Sequence, residues 1–157
     1  MNIRENQEIK FENLLSFRGK MTQQELTNEM MKIGQVLKDL GVKKNGPIIS
    51  TTFSVELIDG QQVMDSEFLI PLDKEVELPK EYSFKKVFHL VNALCIRHNG
   101  NPNLIQNTYN QLNTFIQENR LQPITSGYNI PVNEVTDPSK LDEVIIDVYI
   151  GVNPCII

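Results

Sequence analysis

The stretch that decides the fold is VIIDVYIGV, Val144 to Val152. Val144, Ile146, Val148, Ile150 and Val152 are branched aliphatics at every second position, the periodicity of one buried face of a β-strand. The intervening residues are Ile145, Asp147, Tyr149 and Gly151, so a carboxylate sits in mid-strand on the face opposite the aliphatic one.

Working outward, the chain repeats itself. TQQELTNEMMKIGQVLKDLG carries Leu26, Met30, Ile33, Leu37 and Leu40 at the four-three-four-three spacing of a buried helical stripe, and predicts a helix over 22–40. Thr22 with Glu25 is a capping box, and Gly41 is the stop. NPNLIQNTYNQLNTFIQENR repeats the stripe with Ile105, Tyr109, Leu112 and Ile116, and predicts a helix over 102–119. Asn101 is its N-cap, and Pro102 stands where a missing N–H costs nothing.

One extended stretch precedes each helix and two follow it, so the order strand, helix, strand, strand occurs twice. The expected organisation is a single domain over 1–157. Its first βαββ half spans about 8–72, a charged linker 73–81, and its second half about 82–152. EFLIPL, Glu67 to Leu72, falls on DVYIGV, Asp147 to Val152, and brings Glu67 onto Asp147. The odd carboxylate therefore has a counterpart in the other half. The expected fold is α+β: a mainly antiparallel sheet with both helices on one face, leaving a face with Glu67, Leu69, Asp147 and Tyr149 as a groove.

Composition narrows the function. A chain of 157 residues with 40% hydrophobic residues buries a core of its own. Its net charge of −5 is wrong for a phosphate-binding surface, so no nucleic acid partner is expected. No run is long enough for a membrane span, and no leader is recognisable, which makes the cytoplasm the expected compartment. The polar start, MNIRENQEIKF, is expected to fray. Cys95 and Cys155 make no disulfide framework, His89 and His98 make no metal cluster, and no Gly-x-Ser-x-Gly elbow occurs. No cofactor, metal or catalytic residue is expected.

The pattern resembles the GyrI-like small-molecule-binding domain, the tandem βαββ effector-binding half of multidrug-sensing transcription regulators, and in particular its stand-alone Gram-positive members. The resemblance covers about Glu8 to Val152. It is carried by LIPLDKEVELP, by RHNGNPNLIQNTYNQLNTFIQEN with His98-Asn99-Gly100 before the second helix, by PITSGYNIPVNEV with Tyr128, and by the acidic DEVIIDVYIGV. Asp147 stands where the family usually has Glu, and the chain has no Trp.

The resemblance implies a pocket between the halves with an acidic floor and aromatic walls. The resemblance points to Asp147 and Tyr128 as ligand-binding residues; the strand pattern adds Glu67 and Tyr149, and Phe53 lies near the place that answers Tyr128. The implied function is a stand-alone effector-binding protein, without a DNA-binding domain, that takes planar compounds including cations. A carboxylate that has lost water gains from a ligand's positive charge, and a ring beside it adds roughly 0.5–2 kcal/mol. Two alternatives stand beside it. One is a hydrolase in which a groove carboxylate and a Tyr activate water; the other is a protein-binding accessory or immunity factor with a vestigial groove. The partner expected is a small-molecule ligand, with a protein partner left open.

Overall fold

Alternation along β-strands and 3.6-residue periodicity along helices sort the side chains of this protein into inner and outer faces. A computed structural model describes residues 2–156. Its elements are β1 (Ile3–Met21), α1 (Gln23–Asp39), β2 (Ile49–Ile58), β3 (Gln61–Pro71), β4 (Ser83–Asn99), α2 (Ile105–Glu118), β5 (Pro123–Pro131) and β6 (Ile145–Val152). Short 3₁₀ turns at Pro102–Leu104 and Pro138–Glu143 precede α2 and β6. The order is β-α-β-β twice, the architecture is α+β, and the described strand pairings are antiparallel. No helix of the described residues is long and apolar enough to cross a membrane.

The chain divides into two compact units, Lys10–Phe88 and Met1–Ile9 with His89–Ile157. In the first, β3 lies between β1 and β2, with Phe17 opposite Phe68 and Ser50 opposite Phe68 on the other side. The β2–β3 hairpin closes on Asp59-Gly60, both at positive φ, which matches the strand twist. The helix α1 begins at the expected capping box, with Thr22 and Glu25 bonded reciprocally. Its Ile33 and Leu37 bury against Leu15, Ile70 and Leu72, and Val76 and Leu78 of the segment before β4 pack on the same cluster. Burying one such side chain stabilises the unit by about 1.5–3 kcal/mol.

In the second unit, β6 lies between β5 and β4. Leu112 and Ile116 of α2 pack on Val148, Ile150 and Val152, the aliphatic face of the last strand, together with Leu94 and Ile96. His98 organises the turn into α2: Nε2 donates to the Asn101 carbonyl at 3.0 Å, and Nδ1 is bonded to the buried Thr108 hydroxyl at 2.6 Å. The start of the chain does not fray as expected. Ile3 opens β1 and packs against the α2 cluster, which supplies the burial that a polar sequence conceals.

The halves match position by position. The stripe of α1 corresponds to that of α2, residue 26 to 105, 30 to 109, 33 to 112 and 37 to 116. Both helices end in the same two-bond C-cap. Val42 N donates to Leu37 O and Gly41 N to Lys38 O; Leu121 N donates to Ile116 O and Arg120 N to Gln117 O. Gly41 has φ +70° and Arg120, its counterpart, φ +55°. Across the sheets, Arg18 opposite Glu67 corresponds to Arg97 opposite Asp147.

Candidate functional site

Within each unit the helix covers one sheet face, and the acid of the last strand stands on the other. Asp147 is directly opposite Arg97 in the β4–β6 ladder, so the two side chains project from the same face. Arg97 Nε reaches Asp147 Oδ1 at 2.9 Å and Nη2 reaches Oδ2 at 3.1 Å, a bidentate pair. Arg4 Nη2 lies 3.6 Å from Asp147 Oδ2 and donates to Cys95 Sγ at 3.0 Å. Asp147 is only 7% exposed, and Cys95 is fully buried.

Tyr149 is opposite Cys95 on one side and Tyr128 on the other. Burial, then the neighbouring Cys95, pushes its phenol up to about 12. Burial raises the Cys95 thiol as well, with the charge of Asp147 adding to it. The partly exposed Arg97 is held protonated by its hydrogen bonds to Asp147.

In the other unit Glu67 stands between Arg18 on β1 and Thr51 on β2. Its Oε2 accepts from Ser16 Oγ at 2.9 Å and from Lys85 Nζ at 3.0 Å. Arg18 instead makes a bidentate contact with Asp65, at 3.2 and 3.1 Å, and holds that carboxyl below the usual range. Asp65 is the residue that differs between halves: its counterpart on β6 is Ile145. An extra acid on one strand thus draws the arginine away from Glu67.

The Arg18 guanidinium carbon also lies 3.9 Å over the Phe53 ring. Phe53 is the bulged residue of β2, where the register slips between Thr52 and Ser54, and it is 43% exposed. The register corrects its expected correspondence. Ile49, opposite Leu69, answers Tyr128, opposite Tyr149; Phe53 lies four residues further along.

The mid-strand position of both acids is visible in the sequence; the groups that hold them are not. These groups are Arg97 and Arg4 at Asp147, and Ser16 and Lys85 at Glu67. A mid-strand acid needs a basic neighbour, and that was the available signal, but which residue supplies it depends on register. No group of three or more His, Cys, Asp or Glu side chains able to hold a metal occurs among the described residues.

No protein-family profile and no curated protein matches this sequence. Solved structures do. The C-terminal domain of EcmrR aligns with a TM-score of 0.75 at 16% identity, over 98% of this chain and 97% of that one. In the EcmrR–DNA complex the match spans 57% of the EcmrR chain. A hydrolase from Listeria innocua aligns with a TM-score of 0.59 at 12% identity, over 95% and 93% of the two chains. SAV2435, solved bound to tetraphenylphosphonium, aligns with a TM-score of 0.55 at 15% identity, over 98% and 93%. The chain has the fold of these proteins, the one implied by its resemblance to the GyrI-like domain.

Proposed function

We propose that this protein binds small molecules, planar organic cations in particular, and that Glu67 receives the ligand's positive charge. The observation that carries this reading is the difference between the two acids. Asp147 is gripped by both prongs of Arg97 and approached by Arg4, so a cation gains little there. Glu67 has lost its arginine to Asp65 and is neutralised by the single ammonium of Lys85, a flexible side chain that is 43% exposed. An incoming cation displaces one Lys85 contact, and the ammonium returns to water. Ser16 keeps Glu67 oriented throughout.

Tyr149 and Tyr128 offer adjoining aromatic surface in their own unit, with Asp147 as a fixed polar group, and Phe53 offers a half-exposed ring in the other. The binding of tetraphenylphosphonium by SAV2435, a protein of the same fold, supports the choice of ligand class. The hydrolase alternative draws less support. It needs a carboxylate free to take a proton from water, and here Asp147 is held by both prongs of Arg97 while Glu67 is bonded to Ser16 and Lys85.

Calorimetric titration with tetraphenylphosphonium tests this reading on the wild type, Glu67→Gln, Asp147→Asn and Lys85→Ala. Glu67→Gln is expected to weaken binding at least about tenfold, roughly 1.4 kcal/mol. Lys85→Ala is expected to strengthen it, because the competing ammonium is gone. A loss confined to Asp147→Asn would move the seat to that acid, and no binding by any form would overturn the reading.

A further inference from the structure

The helix side of the Lys10–Phe88 unit carries a feature that this function does not use. An open groove of about 550 Å³ runs beside α1, walled by Met30, Ile33, Leu37, Val42, Ile48 and Ile70. A second space of about 510 Å³ shares Met30 and Ile48 with it and continues past Leu26, Ser50 and Phe68. From Leu26 to Lys38 the helix is about 18 Å long at 1.5 Å per residue, so the groove is long and almost entirely apolar. Lys38, Lys43 and Lys44 also line the first space, and none of them lines the second. None of the three has an ion-pair partner among the described residues.

The other half shows what belongs in such a space. There the position of Met30 is occupied by Tyr109, the position of Ile48 by Gly127, and that of Ser50 by Asn129. The Tyr109 ring lies directly on Gly127, so a Cβ on that glycine would collide with Tyr109 Cε1. Its hydroxyl donates to Asn129 Oδ1 at 2.6 Å. One half thus fills the gap between its helix and its outer strand with an aromatic ring of its own. The other has Met30 in place of that ring and Ile48 in place of the glycine, and its gap is open.

We propose that this groove is a binding site for a flat aromatic anion. The ring system lies between Met30 and Ile48, where the other half places Tyr109, and the carboxylate or sulfonate is held by Lys38, Lys43 and Lys44. The unpaired lysines choose the sign of the ligand. The missing ring chooses its shape, and the polarisable, unbranched Met30 adapts to ring systems of different width. The site differs from the cation seat at Glu67 in position and in charge preference.

The probe is 8-anilinonaphthalene-1-sulfonate, titrated against the full chain under native conditions and followed by fluorescence. One saturable site is expected. Gly34 is a wall residue, and a Cβ there would meet nothing within 4 Å. Gly34→Phe is therefore expected to fill the groove and weaken dye binding at least tenfold. The triple variant Lys38→Gln, Lys43→Gln, Lys44→Gln alters only exposed side chains and is expected to weaken it about tenfold, with an unchanged melting temperature. Glu67→Gln is expected to leave dye binding unchanged, and tetraphenylphosphonium is expected not to displace the dye. These last two results separate this site from the proposed cation seat. Wild-type affinity in both the Gly34 and the triple-lysine variants would overturn the proposal, as would failure of the dye to bind. A concentration-dependent dimer that Gly34→Phe abolishes would overturn it too, and would assign the groove to a second copy of the chain.

Discussion

Arg18 stands directly opposite Glu67 across β1 and β3, yet its guanidinium is bonded to Asp65. The matching arginine, Arg97, bonds the acid it faces. The two halves share one cross-strand pattern, and the carboxylate of Asp65, present in one of them only, takes the arginine there. That difference leaves Glu67 with a lysine and a hydroxyl, both easier to displace than a bidentate guanidinium.

It follows that Asp65→Asn, a residue outside the cation seat, reduces cation affinity. With its competing charge gone, Arg18 turns to Glu67 and occupies it. Tetraphenylphosphonium binding is expected to fall about tenfold, roughly 1.4 kcal/mol. Adding Arg18→Gln to the same chain is expected to restore it. Unchanged affinity in Asp65→Asn would show that Arg18 does not reach Glu67.

The Arg97–Asp147 pair calls for a double-mutant cycle. Arg97→Leu leaves the largely buried Asp147 carboxylate with only the 3.6 Å approach of Arg4 to offset its lost water. The double variant Arg97→Leu, Asp147→Leu is expected to be more stable in urea than Arg97→Leu alone, because the unpaired charge is gone. The reverse order would mean that Asp147 is adequately solvated without its partner.

Alkaline pH gives an independent check on burial. Three of the four tyrosines are shifted upward: Tyr149 and Tyr109 to about 12, chiefly by burial, and Tyr82 by burial and its hydrogen bond to Glu29. Unfolded tyrosines ionise near roughly 10. Between about 10 and 12 the unfolded chain has therefore lost protons that the folded chain keeps, and stability falls as pH rises through that window. Below it these groups are neutral in both states and contribute no slope. Absorbance at 295 nm is expected to show Tyr149, Tyr109 and Tyr82 ionising above the usual range or only as the chain unfolds.

How much of this was legible beforehand depends on range. The helices read clearly because their stripes and caps are local: Thr22 and Glu25 are three residues apart, and the last strand declares its aliphatic face within nine residues. The role of Arg4 was hidden, because its sulfur partner is 91 residues away and nothing in IRENQE marks a buried contact. Spacing alone brings Phe53 near the counterpart of Tyr128, because a bulge that shifts the register has no local signature here. The open groove is invisible in α1 alone. It emerges only when Met30 is set beside Tyr109, which requires the strand pairing of both halves.

The close approach of Tyr109 to Gly127 predicts a specific intolerance. Gly127→Ala forces the ring away from its bond to Asn129, and is expected to cost about 1–3 kcal/mol, as overpacking does. In Tyr109→Leu the same alanine has room, so the two changes together are expected to cost less than their sum in denaturant titration. Additive losses would place the alanine's cost elsewhere than the ring.

The two leucines at the centres of the helical stripes are expected to differ, although the sequence gives them equivalent places. Leu112 is fully buried among Val148, Ile150 and Ile116, so truncation to alanine leaves a closed void as well as losing apolar transfer. Leu37 is 7% exposed and forms part of the wall of the open groove beside α1. Truncation there widens a space that already exists. Of the roughly 2–5 kcal/mol range for such changes, Leu112→Ala is expected in the upper half and Leu37→Ala near the lower end. Urea titrations with equal slopes measure both. Equal losses would mean that the groove closes over Leu37 in solution, and would also remove the space that the aromatic anion is proposed to occupy.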